Sequence, residues 1–308
     1  MGGPRGICPV IVGPTAVGKT ALVTSLAERL PLEVISLDSR QIYHGLRIGT
    51  AQPTAEELSI CPHHLVDFVD PDDSYDAQRY RRDFCGIHAG IVGRGGVPLL
   101  VGGAGMYLTA VREGFMAVPG QTPERLQEVR AELAPLTDAE IRLRLADADP
   151  DSHARLHAND RQRSQRALEV YLLSGRSMTE LQAAQVDDPA LGLEFPVFVL
   201  ERPVKELDAR ILRRTETMLQ QGWIDETAEA LTRHRSDGPG LRSIGYRDIV
   251  RHLQGDLARD DLTPAVVRAT RQYAKRQRTW FRKVAGVGRG NPDDPALAVA
   301  IGEALAPR

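Results

Sequence analysis

The sequence predicts an α/β fold, a parallel sheet flanked by helices and interrupted by an all-helical insertion. Three observations carry this. A glycine-rich stretch, GPTAVGKT, joins a short β-branched run to a helical pattern. Three further apolar runs follow, separated by helical patterns, which is the alternation of a parallel sheet. Between the last two runs, residues 119–189 carry helix start signals and no strand pattern.

Each element follows from its residues. Val10–Val12 reads as a buried strand. Gly13, Pro14, Thr15, Ala16, Val17, Gly18, Lys19 and Thr20 complete the phosphate-binding pattern G-x-x-x-x-G-K-[ST], so the core is P-loop NTPase-like. Leu22, Leu26 and Leu30 recur at i, i+4 and predict the next helix. Val34–Leu37 and Leu99–Val101 are the second and third strands. In the insertion, Thr122-Pro123 places a cap before a first-turn proline. Thr137 with Glu140, and Ser177 with Glu180, fit capping boxes. Gly175 closes the helix carrying Ala167–Leu173. Phe195–Leu200 is the fourth strand. Thr263-Pro264 opens a long helix through about Lys283, GRGNPDDP reads as turns, and Ala296–Leu305 as a terminal helix. The expected organisation is a core of residues 1–118 and 190–308, with 119–189 inserted.

Composition bounds the function. The chain has 308 residues, 42% hydrophobic and 26% charged, with a formal net charge of −2. That is ordinary for a soluble globular protein and excludes a polyelectrolyte binder, so any nucleic-acid site is a local patch. No apolar run reaches transmembrane length. MGGPRGICPVIVG lacks a signal-peptide pattern. Cys8, Cys61 and Cys85 form neither a disulfide framework nor a CxxC pair, as expected of a reduced cytoplasmic protein.

The loop's chemistry is defined by its residues. Glycines let backbone N–H groups curl around phosphate oxygens, and the following helix N-terminus adds positive potential. Lys19 supplies a point charge and Thr20 a hydroxyl suited to Mg²⁺. Most such loops hold ATP or GTP, and such a fold often has an Mg²⁺-holding acid at the end of the third strand. Here that strand ends LLVGGAGMY, and Gly102, Gly103 and Gly105 bring backbone close to a neighbour instead; a tight turn is the plain alternative. The acid, Asp38, ends the second strand, at the sheet edge where α/β folds bind ligands. A carboxylate beside bound diphosphate is costly unless it serves a metal or a proton transfer. A helix-capping role is the alternative.

The long helix adds a candidate nucleic-acid contact. Arg268, Arg271, Lys275, Arg278 and Arg282 are spaced 3, 4, 3, 4 and line one face, with no acid between Arg268 and Arg282. Trp280 and Phe281 lie off that stripe and are expected in the core. His63 and His64 lack the partners of a metal site.

These residues together resemble the tRNA dimethylallyltransferase (tRNA isopentenyltransferase) family of bacterial type. The likeness runs through GPTAVGKTAL, ISLDSRQIYHGLRIGTAQP, PHHLVDFVDP, PLLVGGAGMYL, DRQRSQRALEVYLLSGRSMTEL, SIGYRD and TRQYAKRQRTWFR. It implies that the loop holds the diphosphate of dimethylallyl diphosphate. The allyl group then moves to N6 of the adenosine 3′ of the anticodon. By the same resemblance Asp38 is the general base, and Lys19 and Thr20, with Mg²⁺, stabilise the leaving diphosphate. Arg210 or Arg214 also meets the diphosphate. The anticodon arm is met by Asp38, Ser39, Arg40 and Gln41. Gln162, Arg163, Ser164, Gln165 and Arg166 meet it too, beside Arg161. Gly245, Tyr246 and Arg247 complete the implied contacts, and Arg271, Lys275 and Arg278 of the stripe add the contact that spacing suggests. Ala104 stands where the family writes a threonine thought to contact substrate, which implies weaker or altered binding. A monomer is expected. The competing readings are a P-loop small-molecule kinase using ATP, and a non-catalytic RNA-binding protein with a relic loop.

Overall fold

In the computed structural model, residues 6–305 are described; the first five residues of the stretch read above for a leader pattern lie outside them. The chain divides into two compact units. One runs through Arg112 and resumes at Pro189, and the other is Glu113–Asp188.

The first unit begins β1 (Val10–Val12), α1 (Lys19–Ala27), β2 (Leu32–Leu37), α2 (Arg47–Thr50), α3 (Ala55–Ile60) and β3 (His63–His64). It continues with α4 (Ala77–Gly93), β4 (Val97–Gly102) and α5 (Gly105–Arg112). The second unit is helical throughout its described elements: α6 (Pro123–Leu133), α7 (Asp138–Ala148), α8 (Pro150–Arg155), α9 (Arg161–Ser174) and α10 (Met178–Ala183). The first unit then resumes with β5 (Val197–Leu200), α11 (Val204–Gln220), α12 (Trp223–Leu231) and α13 (Tyr246–Leu253). It ends with α14 (Arg259–Phe281), β6 (Gly288–Gly290) and α15 (Pro295–Leu305).

All six strands pair in parallel in the order β3-β2-β4-β1-β5-β6. Alternation along each strand feeds both faces. Val10, Val12, Ile35, Leu37, Leu100, Val197 and Val199 pack against Tyr80, Phe84 and Ile91 of α4 and Tyr107, Leu108 and Val111 of α5. Ile11, Val34, Leu99, Phe198 and Leu200 pack against Leu22, Val23 and Leu26 of α1 and Leu297, Ile301 and Leu305 of α15. A sheet covered on both faces explains why its strands read as continuous apolar runs.

The helical unit has its own core of Val129, Leu133, Ile141, Ala148, Leu168 and Leu173. Its capping chemistry is as the sequence predicts. Thr122 caps α6 ahead of Pro123, and Thr137–Glu140 and Ser177–Glu180 form reciprocal capping boxes. Gly175, at φ 69°, closes α9.

Some expectations are corrected. α1 ends at Ala27, so Leu30 lies outside it. α14 starts at Arg259 and contains Pro264 rather than starting there; Asp260 and Asp261 occupy its first turn, where the helix dipole favours acids. Two edge strands were not legible. His63–His64 and Gly288–Gly290 carry no apolar period, and each forms only because β2 or β5 presents an open edge. Gly288 suits its place because a Cβ there would press on the Phe198 ring at 2.8 Å.

Candidate active site

The C-terminal edge of the sheet gathers four segments. The GPTAVGKT loop leaves β1, Asp38 leaves β2, the glycine turn leaves β4 and Arg202 follows β5. The first three border a cavity of about 1090 Å³, and Arg202 braces the loop from behind. Thr15–Thr20, Asp38–Gln41, Arg210, Arg214, Tyr273 and Gln277 are among its lining residues.

The loop is held from several directions. Ala16 and Gly18 adopt positive φ, 63° and 115°, and Gly18 is the N-cap of α1. Lys19 Nζ donates to the carbonyls of Gly13 (2.9 Å) and Pro14 (3.0 Å). Arg210 Nε donates to Ala16 O at 2.7 Å, and Arg214 Nη1 to Thr15 Oγ1 at 3.4 Å. Arg202 Nε donates to Val17 O at 2.6 Å while its guanidinium pairs with Glu206 and Asp293. Gln277 Oε1 accepts the Thr15 N–H at 2.9 Å.

Electrostatically the cavity wall is rich in cations, with Asp38 and Glu57 as its acids. Burial pushes the Lys19 ammonium down to about 8, against the opposing pull of Asp38, and Arg214 adds to the depression. Burial also lowers the Arg214 pKa, with Asp38 opposing it. Such a wall suits a multiply charged anion, whose arrival would relieve the repulsion between these cations.

Asp38 lies at the sheet edge as expected and caps a turn rather than a helix. Its Oδ1 accepts from the N–H groups of Arg40 (2.8 Å) and Gln41 (3.3 Å), which fixes the DSRQ turn, and the residue lines the cavity. Gln41 is committed within this segment: Oε1 accepts from Ser36 Oγ and Nε2 donates to Ala51 O. The nearby turn at α2 is held by Glu226, whose carboxylate accepts from the N–H groups of Arg47 and Ile48 at 2.8 Å.

The glycine turn brings backbone close to protein rather than to ligand. A Cβ on Gly102 would strike the Leu37 backbone, one on Gly103 the Gln277 amide, and one on Gly105 the Trp280 indole. The N–H groups of Gly103 and Ala104 both donate to Leu37 O at 2.9 Å. The half-buried Ala104 packs against the core and is absent from the cavity lining.

Three further expectations change. Tyr246 is fully buried, donates to Glu226 Oε1 at 2.5 Å and accepts from Gly49 N at 3.0 Å, so it props the α2 turn rather than offering itself to RNA. Gly245, with φ 87°, gives room to the Trp223 ring; Arg247 alone of that trio is exposed. Ser164 is fully buried on the inner side of α9. Its neighbours Gln162 and Arg163 are exposed and Gln165 and Arg166 half-buried. That patch is less basic than its composition: Arg161 pairs with Asp138, Arg163 with Asp160 and Arg166 with Glu169.

On α14, Arg268, Arg271 and Lys275 are exposed, Arg278 is half-buried and Arg282 follows as C-cap. Arg271 lies 3.4 Å from Asp208 of α11, an acid that spacing on α14 cannot reveal. Phe281 is buried as expected, whereas Trp280 is 37% exposed and lies against Gly105. The opposite face went unread: Thr270, Tyr273 and Gln277 recur at i, i+3, i+7 and all face the cavity. Arg202 was findable from the edge rule, since it stands just past a sheet strand.

Comparisons with known proteins agree with this geometry. A family model described as IPP transferase matches residues 41–284, and one described as Isopentenyl transferase matches residues 7–64. A tRNA dimethylallyltransferase of Chromobacterium violaceum is 41% identical over 300 residues, 96% of this chain and 92% of that one. One from Burkholderia thailandensis is 44% identical over 279 residues, covering 88% and 86%. The full-length tRNA isopentenylpyrophosphate transferase of Bacillus halodurans superposes with a TM-score of 0.69 at 33% identity, covering 97% of this chain and 95% of that one. A eukaryotic dimethylallyltransferase acting on tRNA gives 0.76 at 27% identity, covering 90% and 70%. With most of its length matched by one family model and by relatives aligned nearly end to end, this chain belongs to the IPP transferase family.

Proposed function

We propose that this enzyme transfers the dimethylallyl group of dimethylallyl diphosphate to N6 of the adenosine 3′ of the anticodon in tRNA, releasing diphosphate. The observation that carries the reading is one cavity lined by both the phosphate loop and the Asp38 carboxylate, in a chain of this family. N6 attacks the allylic carbon, the carbon–oxygen bond breaks, and its electron pair leaves with the diphosphate. Asp38 takes the N6 proton. N6 is a poor nucleophile because its lone pair is delocalised into the ring, whereas allylic charge is resonance-stabilised. The site therefore needs mainly a clamp for growing diphosphate charge, which Lys19, the loop N–H groups, Arg210 and Arg214 supply.

The oxygen donors at the loop fit Mg²⁺: Thr20, whose side chain offers a hydroxyl, lines the cavity. Thr20 would hold the ion, which neutralises diphosphate charge when bound. The acceptor is the anticodon arm, whose single-stranded loop can release a base at low cost. Asp38, Ser39 and Arg40 would meet the adenosine. Gln162, Arg163, Gln165 and Arg166 of α9, with Arg247, Arg271, Lys275 and Arg278, offer further RNA contacts. The enzyme works as a cytoplasmic monomer in this reading; no helix among the described residues is long and apolar enough to cross a membrane.

The kinase alternative is not favoured: the relatives are named tRNA dimethylallyltransferases. A relic RNA binder would not need the cationic wall around Asp38. The test mixes protein, Mg²⁺, radiolabelled dimethylallyl diphosphate and unmodified tRNA, with ATP and a tRNA lacking the adenosine as controls. Label in the adenosine-bearing tRNA alone is expected. ATP consumption with no label in RNA would return the loop to nucleotide chemistry.

A further inference from the structure

Gln277 is buried, 6% exposed, on the cavity face of α14 and uses both ends of its amide. Oε1 accepts the Thr15 N–H of the phosphate loop at 2.9 Å, and Nε2 donates to Gly103 O at 3.0 Å in the turn after β4. That turn holds Leu37 O through the N–H groups of Gly103 and Ala104, and Leu37 directly precedes Asp38. One side chain thus links the loop, the turn and, through Leu37, the segment carrying the carboxylate. Gly103 has room for this only because it lacks a Cβ, which would occupy the place of the Gln277 nitrogen.

We propose that Gln277 is a positioning residue of the transferase site: it sets the loop's first turn and the Asp38 segment in one frame, so that donor diphosphate and acceptor base are aligned. This rests on the transferase reading above. The chemistry selects an amide. An N–H donor and a C=O acceptor must be met at once, beside a bound anion, and a neutral amide meets both without bringing charge. A carboxylate would satisfy Thr15 and repel Gly103 O. An ammonium would do the reverse. Alanine would leave the buried Gly103 C=O and the half-buried Thr15 N–H without this partner.

The same helix carries the exposed basic stripe on its other side, at Arg268, Arg271 and Lys275. Gln277 is therefore also the point at which the acceptor-side helix is fastened to the donor loop.

The test uses the full chain, with Gln277→Ala and the near-isosteric Gln277→Glu. Inorganic diphosphate with Mg²⁺ is the probe for binding, and single-turnover prenylation of tRNA the probe for alignment. Gln277→Ala is expected to weaken diphosphate binding by about tenfold, the scale of one orphaned buried hydrogen bond. It should slow the single-turnover step as well, with tRNA affinity kept. Gln277→Glu separates positioning from packing. Protonated, its carboxyl can donate to Gly103 O while still accepting from Thr15. Its diphosphate affinity relative to wild type should rise as pH falls from about 8 to about 5.5, while the same ratio for Gln277→Ala stays flat. Wild-type-like diphosphate affinity and single-turnover rate in both variants would overturn the proposal, as would a pH-independent ratio for Gln277→Glu. A wild-type protein that binds no diphosphate would overturn the transferase reading itself, and with it this role.

Discussion

At the scale of single residues, the site sets the Asp38 carboxylate among cations. Asp38 accepts two backbone N–H groups, which hold its carboxylate in place at the cavity. Removing it takes away the proposed base and leaves the loop's clamps. Asp38→Ala is expected to keep tRNA and diphosphate binding while prenylation falls by roughly two to four orders of magnitude, read by single-turnover labelling. Unchanged prenylation would refute the assignment of the base. Lys19 gives a pH prediction with a definite sign. Its ammonium titrates at about 8, below its ordinary range, so it is charged below that pH and neutral above. Diphosphate affinity should decline as pH rises through about 8, by up to about tenfold per unit for one coupled proton. Lys19→Arg stays charged through this range and should lose that limb. Titration calorimetry across pH 6.5 to 9.5 checks both. For folding the sign is also fixed: a depressed lysine pKa opposes the folded state while the group is charged. Lys19 therefore costs stability at neutral pH and stops doing so as pH rises towards its unfolded value.

At the scale of elements, α14 is the helix with two chemistries. Its inner face carries Thr270, Tyr273 and Gln277 into the cavity, and its outer face carries the basic stripe. Neutralising Lys275 and Arg278 together should weaken tRNA binding and flatten its salt dependence by up to about two in the log–log slope. The affinity for dimethylallyl diphosphate should not change, since neither side chain lines the cavity. Filter binding of tRNA at several salt concentrations measures the slope. Equal loss for both ligands would point to a displaced helix. The stripe was legible because a 3, 4, 3, 4 spacing is a property of the chain itself. Its pairing with Asp208 was not, because that acid belongs to a helix distant in sequence. Capping behaves likewise. Thr122, Thr137 and Ser177 were readable from four consecutive residues, whereas the Thr263-Pro264 signal misled. The acids at 260 and 261 and the burial of Leu262 carry that helix start upstream.

At the scale of the whole molecule, each unit buries its own core. The helical unit's cluster around Leu133 and Ile141 shares no residue with the clusters on either face of the sheet. Damage to one core should therefore spare the other's ligand. Leu133→Ala removes a fully buried side chain and is expected to cost about 2–5 kcal/mol of stability. If α9 contacts RNA as proposed, tRNA affinity should fall while the enthalpy and stoichiometry of diphosphate binding stay as in wild type. Calorimetric unfolding and diphosphate titration of the same sample test this. Loss of diphosphate binding would mean that the two units do not stand independently.

What the sequence alone determined was whatever is written in neighbouring residues. Four strands were readable because a doubly covered parallel sheet needs continuous apolar runs, and the phosphate loop because its glycines, Lys19 and Thr20 are contiguous. Asp38 was readable because a residue just past a strand falls at the sheet edge. Tertiary structure alone decided what depends on residues far apart. It brought Gln277 to Thr15 across 262 positions and Arg202 to Val17 across 185. It buried Tyr246 and Ser164, which the family resemblance had offered to RNA. It paired two short edge strands that have no pattern of their own. The physical reason is common to these cases: a backbone period or a cap is set by bonds along the chain, whereas burial and long-range hydrogen bonds are set by which surfaces meet.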